Sequence, residues 1–223
     1  MMAGFDVMGA LSRYNDDPAG ACRPFDTTRD GFVMSEGSAI LIVESEEHAR
    51  ARGAQLLAEV RGGRITGDGY HITAPEPSGN GAARAIRNAI KAAGLQPEDI
   101  DLIYAHGTGT TLNDAVETTA IKKALGQHAY SVAVTATKSM IGHTLGAAGA
   151  LSAIGAVLSL HEGIIPPTMN YSVPDPECDL DYVPDVARQK TLHHALVNAF
   201  GFGGQNVVAV LSRVNDSEMT APR

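Results

Sequence analysis

Three observations predict an α/β fold. Between residues 100 and 136 a short apolar run, a helical stretch and a second apolar run follow one another, the β-α-β alternation that builds a helix-covered sheet. Glycine-rich loops follow directly on two predicted strands, at His106-Gly107-Thr108-Gly109 and at Gly201-Phe202-Gly203-Gly204. The long segment from Gly142 to His161 carries Ala, Gly and Leu on nearly every side, as a helix buried between layers does.

Each element has a local reason. Ala3 to Leu11 is apolar with helical character but begins without a capping residue, and Arg23 to Gly37 is a loop bearing Gly and Asp. Ser38 to Glu44 is a short β-branched apolar run, expected as a buried strand. Glu44 to Arg52 is expected as one or two helical turns ended by Gly53, and Leu56 to Ile65 as a strand with a bulge at Gly62-Gly63. From Ala82 to Ala93, apolar residues at three- and four-residue steps alternate with Arg84, Arg87 and Lys91, predicting an amphipathic helix capped by Ser78 or Asn80 and closed by Gly94. Strands are predicted at Ile100–Ala105, Val132–Ala136, Ala195–Phe200 and Asn206–Leu211. A helix at Asn113–Leu125 ends at Gly126, and Gly163 with Pro166-Pro167 stops the long helix.

The composition narrows the function. In 223 residues, 44% are hydrophobic and 19% charged, which excludes global disorder. A formal charge of -8 without clustered Lys and Arg argues against a nucleic-acid partner. No uninterrupted apolar run of about eighteen residues occurs, so no membrane partner is expected. Two cysteines, Cys22 and Cys178, are too few for a disulfide scaffold, and with no signal-peptide pattern the expected compartment is the cytoplasm.

His106 follows a predicted strand, so its imidazole emerges at the strand's C-terminal edge, where open α/β sheets build their sites. A loop in which His106 only satisfies backbone carbonyls is an equal reading of that residue taken alone. Thr108 and Thr110 add hydroxyls for a ligand. His143 is expected in the first turn of the long helix, where the macrodipole disfavours imidazolium and leaves a neutral donor. Lys138, between strand and helix, reaches the same pocket, although for that residue taken alone a lysine capping a sheet edge is the better reading. Two neutral imidazoles converging on one oxygen suit negative charge developing there, as in an enolate beside a thioester. A metal site is disfavoured, because neither histidine has a carboxylate or thiolate in ligand spacing. Asp26, Arg29, Asp30 and Glu36 are expected to serve structure rather than chemistry.

With these pieces in order, the chain resembles the β-ketoacyl-acyl-carrier-protein synthases, most closely the type II elongation enzymes. The resemblance rests on Arg23-Pro24-Phe25-Asp26 with Arg29-Asp30-Gly31, AHGTGT at 105–110 with Asp114 and Glu117, TKSMIGHTLGAAGA at 137–150, Pro166-Pro167-Thr168, and NAFGFGGQN at 198–206. It implies a thiolase-like α-β-α-β-α architecture, residues 1–53 closing the N-terminal half and residues 54–223 forming the C-terminal half. It also implies decarboxylative Claisen condensation of malonyl-acyl-carrier protein with an acyl thioester in fatty-acid elongation, without a cofactor. His106, His143 and Lys138 would be catalytic. Thr108 and Thr110 would contact the pantetheine arm, and Phe202 would be the gating phenylalanine whose N–H helps form the oxyanion hole. The implied partners are acyl carrier protein with its acyl and malonyl thioesters, and a missing N-terminal half or second subunit. Neither cysteine matches the family's nucleophile, which would lie outside this chain. Alternatives are a truncated or non-condensing protein, such as a chain-length-factor-like partner or a malonyl decarboxylase, and a modular polyketide enzyme. Ser152 departs from the pattern, since many relatives carry there a glutamate that holds the lysine.

Overall fold

The computed structural model describes residues 2–214, so the end of the predicted 54–223 half lies outside the described residues. Its elements are α1 (Met2–Val7), α2 (Glu46–Ala51), β1 (Glu59–Gly67), α3 (Asn80–Ala92), β2 (Leu102–Tyr104), α4 (Thr111–Leu125), β3 (Ala133–Thr135), α5 (Lys138–Ile141), α6 (Ala148–Glu162), β4 (Ile164–Ile165), β5 (Arg188–Gln189), β6 (His194–Gly201) and β7 (Gln205–Ser212). Five strands form one sheet in the order β1-β7-β6-β2-β3. β2 lies parallel to β3 and β6, whereas the β6–β7 hairpin and β1 are antiparallel.

Side-chain alternation assigns each face of the sheet to a different core. Ile103, Leu196, Val208 and Val210 meet Ile86 and Ile90 of α3 and Ile121 of α4. Their neighbours Leu102, Tyr104, Ala195, Val197 and Leu211 turn the other way, onto Ala156 and Leu160 of α6. The helical spacing of α3 works as the sequence predicts, with Ile86, Ala89 and Ile90 buried and Arg84, Arg87 and Lys91 exposed. The bulge also forms, as a register shift between Val60 and Gly62 against β7.

Four expectations fail, each for a physical reason. Ser38 to Glu44 makes no strand, and Ile40 and Ile42 are 84% and 78% exposed. The run has the right pattern, but no strand among the described residues lies beside it to complete a ladder. Neither Ser78 nor Asn80 caps α3; Gly79 occupies the cap position at φ 66°, and the Glu76 carboxylate instead accepts from the Ser78 and Asn80 N–H groups. The helix predicted from Gly142 is divided, because Gly142 (φ 70°) ends α5, Leu145 adopts φ 55°, and α6 starts only at Ala148. Finally, α6 is covered on one face only, through Ser152, Ala156, Ser159 and Leu160, while Leu158 is 49% exposed.

The break at Gly142 is required by packing. A β-carbon there would lie 2.8 Å from Ser35 Cβ and 3.0 Å from the Val33 carbonyl oxygen, in a conformation L-residues rarely adopt. Gly142→Ala is therefore expected to lower stability by about 1–3 kcal/mol, measured as a reduced urea midpoint at unchanged slope.

Candidate active site

The loop between β2 and α4 is built on two buried carboxylates. Glu117 accepts from the His106 and Gly107 N–H groups at 2.8 Å each, and Asp114 from Thr108 and Gly109 at 3.2 Å each. Every backbone N–H from 106 to 109 thus points at a side chain of α4. Asp114 also accepts from the Phe25 N–H at 2.9 Å, and Asn198 of β6 donates to Glu117 at 3.0 Å. Burial raises the pKa of both carboxyls, opposed by these donors. The pair was visible in the sequence as acids three residues apart in a helix following a Gly/Thr loop, but its role as the loop's frame was not.

His143 is held from the other side. Its N–H donates to the Val33 carbonyl at 2.7 Å and its carbonyl accepts from Ser35 N–H at 3.1 Å. Its ring nitrogen Nδ1 accepts from the Leu145 N–H at 3.1 Å, so the ring proton belongs on Nε2. The positive φ of Leu145 aims that N–H. The expected neutrality therefore stands for a different reason from the predicted one, since His143 precedes α6 rather than occupying its first turn. Burial, then the Lys138 charge, lowers its pKa to about 4.

The two rings meet edge to face, 5.6 Å between centroids, and both line one cavity of about 540 Å³. His106 is held neutral by burial first, then by Lys138 and His143, with its pKa well below the ordinary imidazole value. Thr108, Thr110 and Phe202 line the same cavity. The two threonine hydroxyls hydrogen-bond at 2.9 Å, and Thr110 Oγ1 also accepts from the Asn113 N–H at 3.4 Å as the cap of α4. Phe202 is half-exposed on the turn between β6 and β7, which is tied down by Gly203 N–H donating to Ile72 O and Asp68 N–H to Gly204 O.

Lys138 is placed differently from the expectation. It is buried behind the cavity, not in its wall, and Nζ donates to the His106 carbonyl at 2.6 Å. Desolvation pulls its pKa down to about 8, against the opposing pull of Glu117, Cys22 and Asp114. Ser152 is buried on α6 and supplies no charge to it. Of the four charged residues assigned to structure, Asp26 and Arg29 are buried. Asp26 accepts from Thr28, Ser172 and Val173, and Arg29 contacts Asp175. Asp30 receives the Ser12 hydroxyl, and Glu36 stands apart and exposed.

A profile of the β-ketoacyl synthase C-terminal domain matches residues 57–172, and that of the N-terminal domain matches residues 1–49. This chain belongs to the β-ketoacyl synthase family. It is 55% identical over 211 residues to 3-oxoacyl-[acyl-carrier-protein] synthase 2 of Synechocystis sp., covering 95% of this chain and 51% of that protein. It is 49% identical to the tetracenomycin polyketide synthase ketoacyl synthase alpha subunit of Streptomyces glaucescens, covering 97% of this chain and 51% of that one. The chain thus spans about half the length of the curated relatives it matches. Among solved ketosynthases, it superposes on the one in the AntDE:AntF complex, a type II polyketide acyl-carrier protein with its ketosynthase, with a TM-score of 0.94. Identity is 40%, over 96% of this chain and 53% of that one. The fold is therefore thiolase-like.

Both cysteines of this ketosynthase chain are buried. Cys22 Sγ donates to the Lys138 carbonyl at 2.9 Å, and burial pushes its thiol up to about 11 and that of Cys178 to about 12. Neither lines the cavity. Iodoacetamide at neutral pH is expected to leave both unmodified in the folded protein and to alkylate both once it is denatured, as read by mass spectrometry.

Proposed function

We propose that this chain carries the malonyl-activating side of a decarboxylative Claisen condensation in fatty-acid elongation, with the nucleophilic thiol outside the chain. The observation that carries the reading is the pair of neutral imidazoles on one cavity. A malonyl thioester seated there loses carbon dioxide as its carboxylate–carbon bond breaks, and the bonding pair passes into the thioester carbonyl to give an enolate. His143, with its proton on Nε2, and His106 offer donors to the enolate oxygen, while the low polarity around them strengthens both contacts. The enolate carbon then attacks an acyl thioester on the external thiol, which leaves as thiolate when the new carbon–carbon bond is complete.

Lys138 acts through His106, keeping the imidazole uncharged and fixing the backbone of its loop. Thr108 and Thr110 would receive the amide-bearing arm of a pantetheine thioester, and Phe202 would gate the cavity while its N–H serves the acyl oxyanion. Acyl carrier protein is the proposed donor of both thioesters, in keeping with the carrier-protein complex of the structural relative. The remaining part of the ketosynthase, as another segment or subunit, would lie against the unpaired run 38–43 and the bare side of α6. One relative supports the fatty-acid assignment, the Synechocystis 3-oxoacyl synthase at 55% identity; other 3-oxoacyl synthases, at 48–51%, match no better than polyketide synthases, at 49–51%.

Decarboxylation without condensation is a second reading, favoured by the burial of both thiols. The test is to incubate the chain with malonyl carrier protein, alone and with the separately expressed first half of the Synechocystis relative plus an acyl donor. Carbon dioxide in both arms and a β-ketoacyl product only in the second support the condensing role. Carbon dioxide with no ketone in either arm supports the second reading, and a folded sample that releases none overturns both.

A further inference from the structure

We propose that Phe5 is a positioning residue: it seats the Phe202 ring and thereby sets how large an acyl group the cavity admits. The inference rests on the assignment of that cavity to acyl thioesters. Its basis is a run of ring contacts that links the half-exposed Phe202 to the histidines. Phe202 lies 6.0 Å from the Phe5 ring, Phe5 meets Phe32 edge to face at 5.2 Å, and Phe32 meets His143 edge to face at 5.2 Å. Phe5, Phe32, Phe202 and His143 all line the one cavity.

The two ends of this run are held unequally. Phe32 is 4% exposed, and its backbone exchanges hydrogen bonds with Ala10 and Ser12. Phe5 stands on α1, a six-residue helix with no buried residue, tied back by Ala10 N–H donating to Phe5 O at 3.0 Å. Phe202 sits in a turn between glycines, with Gly203 and Gly204 at φ 82° and 73°. The turn's backbone is held at Gly203 and Gly204, while the Phe202 ring itself projects half-exposed toward Phe5, which rests in turn on the buried Phe32. The Phe5–Phe202 contact is tilted at 46°, a ring-to-ring attraction that biases the Phe202 position without locking it. A smaller side chain at position 5 lets Phe202 settle inward or outward; a larger one shortens the cavity at that end.

The chain holds five phenylalanines, so 4-fluorophenylalanine labelling gives a ¹⁹F spectrum in which each ring is assignable by single substitution. Phe5→Leu and Phe5→Trp are expected to move the Phe202 resonance and leave that of Phe25, stacked on Tyr182, in place. The same variants are expected to change the affinity ratio between hexadecanoyl- and butanoyl-pantetheine amides by roughly tenfold, in opposite directions. An unmoved Phe202 resonance, or an unchanged ratio in a protein that binds both amides, overturns the proposal. If the wild-type chain binds neither amide, the acyl-thioester reading falls and with it the size-setting role, while the ¹⁹F arm still decides whether Phe5 seats Phe202.

Discussion

Replacing His143 by alanine is expected to lower carbon dioxide release from a malonyl thioester about 10²–10³-fold, the effect of removing one donor from an oxyanion site. The enolate oxygen carries far more charge than the carbonyl it comes from, so the lost contact matters in the transition state and little in the bound substrate. The change should accordingly fall on kcat, with KM nearly constant. The links of His143 to Val33 and Ser35 are main-chain bonds and survive the change, whereas the Leu145 N–H and the Phe32 edge lose their contact with the imidazole. The folded state should survive, and its thermal unfolding serves as the control. A rate within a few-fold of wild type would show that this imidazole does not meet the developing charge.

Glu117→Leu is expected to cost about 3–5 kcal/mol of stability, the range for removing one partner of a buried ionic group. The loss would orphan the N–H groups of His106 and Gly107 and the side-chain amide of Asn198, while the Asn113 amide keeps its bond to Asp114. Each unpaired donor in such surroundings costs about 1–3 kcal/mol before relaxation. Glu117→Gln keeps the shape but turns one N–H₂ toward donors, so an intermediate loss is expected. Urea titration of the two variants separates them. The leucine variant would also remove the largest of the influences that oppose desolvation of the Lys138 ammonium. Equal stability of all three proteins would refute the role of Glu117 as the frame of the loop.

The sheet was readable from sequence because its strands carry complete local signals. Leu102, Ile103 and Tyr104 are bounded by Asp101 and the His106 loop, and the β6–β7 hairpin is punctuated by four residues of which three are glycine. The loop histidines were legible for the same reason, since each stands next to an element boundary that glycine marks. What sequence could not supply was anything fixed by distant partners. The run Ile40-Leu41-Ile42-Val43 has strand character, yet strand formation depends on a neighbour to receive its hydrogen bonds. The division of α5 from α6 depends on Ser35 and Val33 crossing beside Gly142, a contact more than a hundred residues apart in sequence. Lys138 reads as a pocket residue by proximity, and only the fold turns its ammonium onto the His106 carbonyl. Glu117 illustrates the same limit: an acid on a helix is normally solvated, and its burial is a property of the packed loop.

The titration of the two imidazoles also leaves a mark on stability. An unfolded chain takes up protons on histidine near pH 6.5, whereas folded His143 does so only at about 4. Through that interval the unfolded state binds more protons, so stability rises with pH and falls as the solution is acidified through the window. Nitrogen-15 NMR of histidine-labelled protein reads the cause directly. Both His106 and His143 are expected to remain uncharged at pH values where a free imidazole is already protonated, with the His143 proton on Nε2. An imidazole of either residue titrating near the ordinary value, or a His143 proton on Nδ1, would contradict the pairing of neutral donors on which the proposed chemistry stands.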